Sequence, residues 1–315
     1  MAGSDAGDAP APVVRVICGP TAAGKTRAAL HCATLADVVV VSADSRQLYR
    51  GFDVGTAKPD ATERAAVPHA GIDVLEPTVR ASAAWWADQA DGWIRDALAG
   101  SRLPLVVGGT GLYLRALFGE LFDEPPLDAG PRAGLQAHLA TIDLPTLQRW
   151  VRALDPARAH LGRTQLLRAV EIALLTGRRV SELHAERRRP PRWRARYLVV
   201  DPGPALPGRI AGRTAGMFAA GWADEVESLL GRVPPDAPAW NASGYGAVRD
   251  MVQGTADREA TMERVVIETR QYAKRQRTWF RHQLPAGQVT RLDPLAPGAG
   301  RALARWLHDA DEPTA

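Results

Sequence analysis

The sequence predicts an α/β fold in which a parallel sheet with helices on both faces is interrupted by a helical subdomain and completed by C-terminal helices. Three observations predict it. Short apolar runs of buried-strand length alternate with helical segments as far as Val107. Two proline pairs, Pro125-Pro126 and Pro190-Pro191, then bracket a stretch that carries helical periodicity only. A further apolar run, Tyr197–Val200, returns to the strand pattern before several more helices.

Taken in order, residues 1–12 are small and polar and read as a disordered tail, as do 309–315. Val13–Cys18 is the first strand, followed by a Gly-rich turn and a helix from Lys25 to about Leu35. Val38–Ser42 is the second strand, Ile72–Leu75 a short one, Ser82–Ala99 a helix and Leu105–Val107 another strand that stops at Gly108-Gly109. The first part of the core is thus placed at 13–124, the inserted helical subdomain at 125–191, and the rest of the core with the C-terminal helices at 192–308. The longest helix is expected at about Arg258–His282.

Length and composition set the outer bounds. The chain has 315 residues, 46% of them hydrophobic, and no apolar stretch approaches the roughly 18 to 20 residues of a membrane helix. The N-terminus has neither the basic nor the apolar region of a targeting peptide. Only two cysteines occur, Cys18 and Cys32, both inside apolar segments, which argues against a disulfide scaffold or a cysteine zinc site. A reducing, cytoplasmic setting without membrane attachment is expected, and a monomer.

The formal charge of +4 is unevenly spread. Residues 1–120 carry 11 basic and 13 acidic side chains, whereas 145–200 carry 13 basic and 4 acidic. A block this basic fits a polyanionic partner such as nucleic acid. The excess of 36 Arg over 3 Lys has a plainer source in base composition, which does not explain the clustering.

After the first strand comes Gly19-Pro20-Thr21-Ala22-Ala23-Gly24-Lys25-Thr26, a complete G-x-x-x-x-G-K-[ST] in strand–loop–helix context. Such a loop turns backbone N–H groups onto phosphate oxygens at a helix N-terminus; Lys25 adds a charge and Thr26 a hydroxyl able to ligand Mg²⁺. The core is therefore P-loop NTPase-like. The motif specifies a di- or triphosphate, not which one. No apolar strand ends in a typical Mg²⁺-holding Asp beside a water-positioning motif, so a transferase gripping a leaving pyrophosphate competes with a hydrolase.

Asp44 follows the second strand, at the edge where open α/β sheets place ligands. A carboxylate near a diphosphate suits metal ligation or general-base work; the plainer reading is a cap on the next turn. In the long helix, Arg270, Lys274, Arg277 and Arg281 share one stripe, and Val265, Thr269, Tyr272, Gln276 and Trp279 another. The basic stripe reads as a solvated face or as a phosphate-binding surface.

Four ordered segments carry a closer likeness: Gly19–Thr26; Asp44–Pro59 with Asp-Ser-Arg-Gln and Gly-Thr-Ala-Lys-Pro; Gly108-Gly109-Thr110-Gly111-Leu112-Tyr113; and Tyr272–Arg281. Together, over about residues 13–285, they resemble the tRNA dimethylallyltransferase family. The resemblance implies transfer of a dimethylallyl group from dimethylallyl diphosphate to the N6 amine of the adenosine 3′ of the anticodon, with Mg²⁺ as cofactor and the anticodon stem-loop of tRNA as partner.

It also implies roles. Gly19, Thr21, Ala22, Ala23, Gly24, Lys25, Thr26 and Arg209 would bind the donor diphosphate, with Arg213 beside Arg209 and Thr26 near the metal. Asp44 would take the amine proton, and Thr110 would sit at the mouth of the reaction channel as a second catalytic residue. Asp44, Ser45, Arg46, Gln47 and Thr110 would meet the flipped-out nucleotide. Arg132, Thr164, Gln165, Leu166, Leu167 and Arg168 in the insert would contact tRNA, as would Lys274, Arg275, Gln276, Arg277, Thr278, Trp279, Phe280 and Arg281.

Three segments depart from the family pattern: Gly162-Arg163 stands for Asn-Asp, His69-Ala70-Gly71-Ile72-Asp73 for His-His-Leu-Ile-Asp, and Gly244-Tyr245-Gly246 for Gly-Tyr-Arg. The competing readings are a prenyltransferase acting on free adenine nucleotides, a small-molecule P-loop kinase, and an RNA-binding protein without chemistry.

Overall fold

The structure, a computed structural model, describes residues 12–119, 121–122, 127–186, 188–189 and 191–309. The two tails expected at 1–12 and 309–315 lie outside the described residues except for Pro12 and Asp309, as does Pro125-Pro126. The chain divides into two compact units, one formed by 1–118 with 192–315 and the other by 119–191.

The first unit is built on a six-stranded parallel sheet. It begins with β1 (Val13–Cys18), α1 (Lys25–Ala33), β2 (Val38–Ser42), α2 (Ala61–Ala66), β3 (His69–Ala70), α3 (Ala83–Ala99), β4 (Leu103–Gly108) and α4 (Gly111–Phe118). The second unit contributes β5 (Leu121–Phe122), α5 (Ala129–Ala140), α6 (Leu144–Leu154), α7 (Arg163–Thr176), α8 (Val180–Glu186) and β6 (Arg188–Arg189). The first unit resumes with β7 (Arg194–Val200), α9 (Leu206–Ala219), α10 (Trp222–Leu229), α11 (Tyr245–Val252), α12 (Arg258–His282), β8 (Val289–Leu292) and α13 (Ala299–His308).

The strand order is β3-β2-β4-β1-β7-β8. Val16 on β1 pairs with Val106 on β4 and Tyr197 on β7, so the strand before the phosphate loop lies at the centre. Strands covered on both faces need continuous apolar runs, and Val16, Ile17, Leu105 and Val106 are fully buried. One face packs on α1 and α13 through Ala29, Cys32, Leu303 and Trp306. A separate aromatic core joins the loop after β2 to the C-terminal helices: Phe52 meets Trp240 at 5.1 Å and Tyr245 at 4.9 Å between ring centroids.

Two expectations are corrected, and one strand is added. The short strand falls at His69–Ala70, paired with Val40 and Val41, rather than at Ile72–Leu75. Gly71 and Asp73 both take positive φ, 76° and 57°, which turns the chain there and leaves Leu75 only a single bridge to Tyr49. The insert is not wholly helical, because Arg188–Arg189 pairs antiparallel with Leu121–Phe122; two arginines carry no strand pattern. The edge strand β8 also went unread, since Thr290 and Arg291 within it are exposed and break the apolar run.

The second unit has its own apolar core, including Leu139, Leu147, Val151, Leu166 and Ile172. Two of its helices, α5 and α6, start on side-chain caps: Asp128 accepts from Gly130 N–H and Asp143 from Thr146 N–H.

Candidate active site

Because the six strands are parallel, the ends of β1, β2, β4 and β7 deliver their following loops to one edge of the sheet. The loop after β1 is forced by its glycines. Gly19 has φ 145° and a Cβ there would lie 2.2 Å from the Val200 carbonyl oxygen; Gly24 takes φ 104° as the residue before α1. Lys25 bends back over the loop, donating to the carbonyls of Gly19 at 3.1 Å and Pro20 at 2.9 Å. Thr26 lies in the first turn of α1. Ala23 is fully buried.

Two arginines one turn apart on α9 hold the loop from the other side. Arg209 Nε donates to the Ala22 carbonyl at 2.8 Å, and Arg213 donates to Thr21 Oγ1 at 3.0 Å. With Lys25, Asp44, Tyr272 and Gln276 they line a cleft of about 620 Å³. Burial drives the Lys25 ammonium down to about 8, with Arg213 adding to the fall and Asp44 opposing it. Burial likewise lowers Arg213, against the attraction of Asp44. The arrangement concentrates positive charge in the cleft, which suits an anionic ligand.

Asp44 caps its own turn with one oxygen: Oδ1 accepts from Arg46 N–H at 2.9 Å. Among the described residues its Oδ2 has no protein partner, so capping and chemistry are compatible uses of one carboxylate. The turn after β4 fixes this acid. Thr110 N–H donates to the Ala43 carbonyl at 3.1 Å, and Thr110 Oγ1 accepts from Ser45 N–H at 3.0 Å, one bond on each side of Asp44. The glycines around Thr110 answer to close approach. A Cβ at Gly108 would lie 2.1 Å from Ala43 O, one at Gly109 2.4 Å from Gln276 Nε2, and one at Gly111 2.3 Å from the Trp279 ring. Burial pushes the Tyr272 phenol, which lines the cleft, up to about 12.

The loop leading to Pro59 closes another wall. Lys58, its side chain 1% exposed, donates to Tyr49 O at 2.5 Å, Asp53 at 2.6 Å and Asp73 at 2.5 Å. Glu225 accepts from Asp53 N–H at 2.8 Å, Val54 N–H at 2.7 Å and the Tyr245 hydroxyl at 2.6 Å. Lys58 and Asp73 thus hold this loop by charge and hydrogen bonding. Sequence reasoning missed Tyr272, which lines the cleft, and Glu225, which holds the loop at Asp53 and Val54: Glu225 stands in no motif, and Tyr272 carries no charge that marks it within the 272–281 segment.

Several side chains assigned to tRNA are committed elsewhere. Gln47 accepts from Ser42 Oγ at 3.0 Å and donates to Ala57 O at 3.2 Å, bracing the loop. Gln276 and Phe280 are buried on the inward face of α12, and Arg277 is paired with Asp201 at 2.9 and 2.5 Å. Lys274, Arg275, Thr278 and Arg281 are exposed, with Trp279 half-buried against Gly111. Ser45 and Arg46 are half-buried, and Arg46 lines the cleft.

In the insert, Leu166 is fully buried in the core and Leu167 packs against it. Gln165 reaches back to accept from Gly162 N–H at 3.2 Å, because glycine at this cap position offers no side chain of its own. Burial would raise the Glu171 carboxyl, but hydrogen bonds from Arg168 and Arg132 overrule it and hold it low. The Arg132 bond is 2.6 Å long, and Gln136 donates to the same oxygen at 2.7 Å. Of the 164–168 segment, Thr164 and Gln165 are exposed, whereas Leu167 and Arg168 are half-buried.

Comparison with known proteins bears on this geometry. Residues 47–283 match the family model described as IPP transferase. The chain belongs to the IPP transferase family. Curated relatives of this family named tRNA dimethylallyltransferase include one from Deinococcus radiodurans, 40% identical over 88% of this chain and 92% of its own, and one from Thermus thermophilus, 41% identical over 93% and 97%. Among solved structures, the tRNA isopentenylpyrophosphate transferase of Bacillus halodurans aligns with TM-score 0.67 and 30% identity over 95% of this chain and 98% of its own. A eukaryotic dimethylallyltransferase described as acting on tRNA aligns with TM-score 0.74 and 25% identity, over 89% of this chain and 73% of its own.

Proposed function

We propose that this IPP transferase family member transfers a dimethylallyl group from dimethylallyl diphosphate to the N6 amine of the adenosine 3′ of the anticodon in tRNA, releasing diphosphate. The observation that carries the reading is that Asp44 and the cationic phosphate loop line one cleft, at the ends of β2 and β1. The 40% identity to a curated tRNA dimethylallyltransferase over most of both chains supports it.

Lys25, Arg209 and Arg213 hold the diphosphate and stabilise its charge as the bond from its oxygen to the allylic carbon breaks. The amine nitrogen forms the new bond to that carbon. Asp44 takes the proton that the nitrogen gives up, which an exocyclic amine needs because it is a poor nucleophile. Thr110 holds the acid in place through the peptide of Ser45.

Mg²⁺ fits these residues. Among the described residues no group of three or more His, Cys, Asp or Glu side chains is placed to hold a metal ion. Magnesium is commonly held by one or two protein groups together with substrate phosphate oxygens and water, and Thr26 and Asp44 are the groups available here. When bound it supplies further charge stabilisation to the leaving diphosphate.

The target base has to leave its stack to reach a cleft of this kind. The exposed Lys274, Arg275 and Arg281 of α12 and the exposed Arg149, Arg152 and Arg179 of the insert are the cations we assign to the anticodon arm. Among the described residues no helix is long and apolar enough to cross a membrane. A cytoplasmic monomer is part of the same proposal.

Asp44→Asn tests the assignment. Transfer is expected to fall roughly 10²- to 10⁴-fold while affinity for an anticodon stem-loop stays within about threefold. Wild-type turnover in this variant removes Asp44 as the base.

A further inference from the structure

We propose that Gln276 is a positioning residue that sets the spacing between the donor's phosphate loop and the acceptor's acid; the inference rests on the transfer reaction proposed above. Gln276 stands on the inward face of α12 and is only 6% exposed. Its Oε1 accepts from Thr21 N–H at 2.8 Å, and its Nε2 donates to the Gly109 carbonyl at 2.8 Å. Both ends of the amide are thus used, each on a different loop. The orientation is forced, since Thr21 N–H can only donate and the Gly109 carbonyl can only accept.

The bonds continue in both directions. On the donor side, Thr21 Oγ1 accepts from Arg213 at 3.0 Å. On the acceptor side, Gly109 leads directly to Thr110, whose N–H and Oγ1 bond to Ala43 and Ser45 on either side of Asp44. The amide therefore closes a connection from the phosphate clamp to the acid, spanning loops that leave three different strands, β1, β4 and β2. Gly109 is part of the device, because a Cβ there would stand 2.4 Å from Nε2. A buried amide with both ends paired is rigid, and removing it takes this partner from the part-buried Thr21 N–H and from the buried Gly109 carbonyl.

Displacement requires the amine, the allylic carbon and the leaving oxygen to be held in line, and misplacement by about 1 Å costs roughly 100-fold in rate. Contacts to each substrate alone do not set the distance between the two. A side chain bonded to both loops does, so its loss appears in kcat rather than in either binding constant.

The experiment compares the full-length wild type with Gln276→Met, similar in size without the amide, and Gln276→Glu. Single-turnover transfer to an anticodon stem-loop, affinity for inorganic diphosphate and for the stem-loop, thermal midpoint, and amide hydrogen exchange at Thr21–Thr26 and Gly108–Thr110 are measured for each. Gln276→Met is expected to lose roughly 100-fold in kcat, to keep both affinities within about threefold, and to exchange faster in both loops together. Gln276→Glu keeps the acceptor toward Thr21 but sets a carboxylate oxygen against the Gly109 carbonyl. Its rate relative to wild type at the same pH is expected to rise as the pH falls, because the protonated oxygen donates again; the Gln276→Met ratio stays flat.

Wild-type kcat in Gln276→Met, a rate loss that only tracks the unfolded fraction, or loosening of one loop alone overturns the inference. Weakened stem-loop binding at unchanged kcat overturns it in favour of a direct RNA contact. If the wild type transfers nothing, the proposed reaction fails, and hydrogen exchange still decides whether Gln276 couples the loops. If Gln276→Met does not fold, the pH response of Gln276→Glu decides.

Discussion

At the sheet edge, Arg209 and Arg213 are bonded to the phosphate loop, while in the insert Arg149, Arg152 and Arg179 stay exposed on helices with a core of their own. The first group is held in place before any ligand arrives, so under the proposed reaction its loss is expected to act on donor affinity and rate. The second group is solvated, and its worth to a polyanion lies in displaced counterions, which salt erases. Cations that look alike in sequence therefore belong to different experiments.

The largest effect that sharpens this contrast concerns Lys25. In the free protein it falls to about 8, and a bound diphosphate favours its charged form. Below that pH the ammonium is already charged and affinity is full; above it, binding has to take up a proton. Diphosphate affinity is expected to fall as pH rises through about 8, by up to roughly tenfold per unit for one proton. Calorimetry in buffers of different ionisation enthalpy detects the uptake, and Lys25→Met, weaker throughout, is expected to lose this component. The same pH slope in both proteins contradicts the account.

A smaller effect separates the two faces of α12. Lys274→Ala is expected to reduce the salt dependence of stem-loop binding by roughly 0.7 to 0.9 log units per log unit of salt for each phosphate that is no longer neutralised. Arg277→Ala removes the pair to Asp201 and a bond to Gly203 O, and is expected to cost about 1 to 2 kcal/mol of stability with the slope unchanged. Titrations at several salt concentrations and urea melts read the two outcomes, and exchanged outcomes break the comparison.

The smallest effect tests the insert alone. Gly162 begins α7 without a side-chain cap, and Gln165 supplies only the return bond. Gly162→Asn is expected to stabilise the protein by about 0.3 kcal/mol in urea melts. Destabilisation shows instead that the glycine is required there.

The parts most legible in the sequence are those where backbone geometry leaves little choice. The spacing of Gly19, Gly24 and Lys25 gave the phosphate loop, the apolar runs gave β1 and β2 to the residue, and Asp44 followed from its position after β2. The short strand was misplaced because Gly71 and Asp73 turn the chain at positive φ, and the Lys58 and Arg64 pairing to Asp73 that holds this turn is a tertiary fact. Charge pattern was the weakest guide. A stripe on α12 shows that Arg277 and Lys274 are neighbours, but only the fold brings Asp201 to one of them. Gln276 and Phe280 stand inside a segment whose likeness implies RNA binding, yet a 25-residue helix necessarily buries one face, and both lie on it.

The central claim is tested most directly by incubating the purified protein and Mg²⁺ with labelled dimethylallyl diphosphate, offering either an unmodified anticodon stem-loop with adenosine 3′ of the anticodon or AMP. The account predicts label on the RNA, at N6 of that adenosine, and none on AMP. Label on AMP alone, or on neither acceptor, contradicts it.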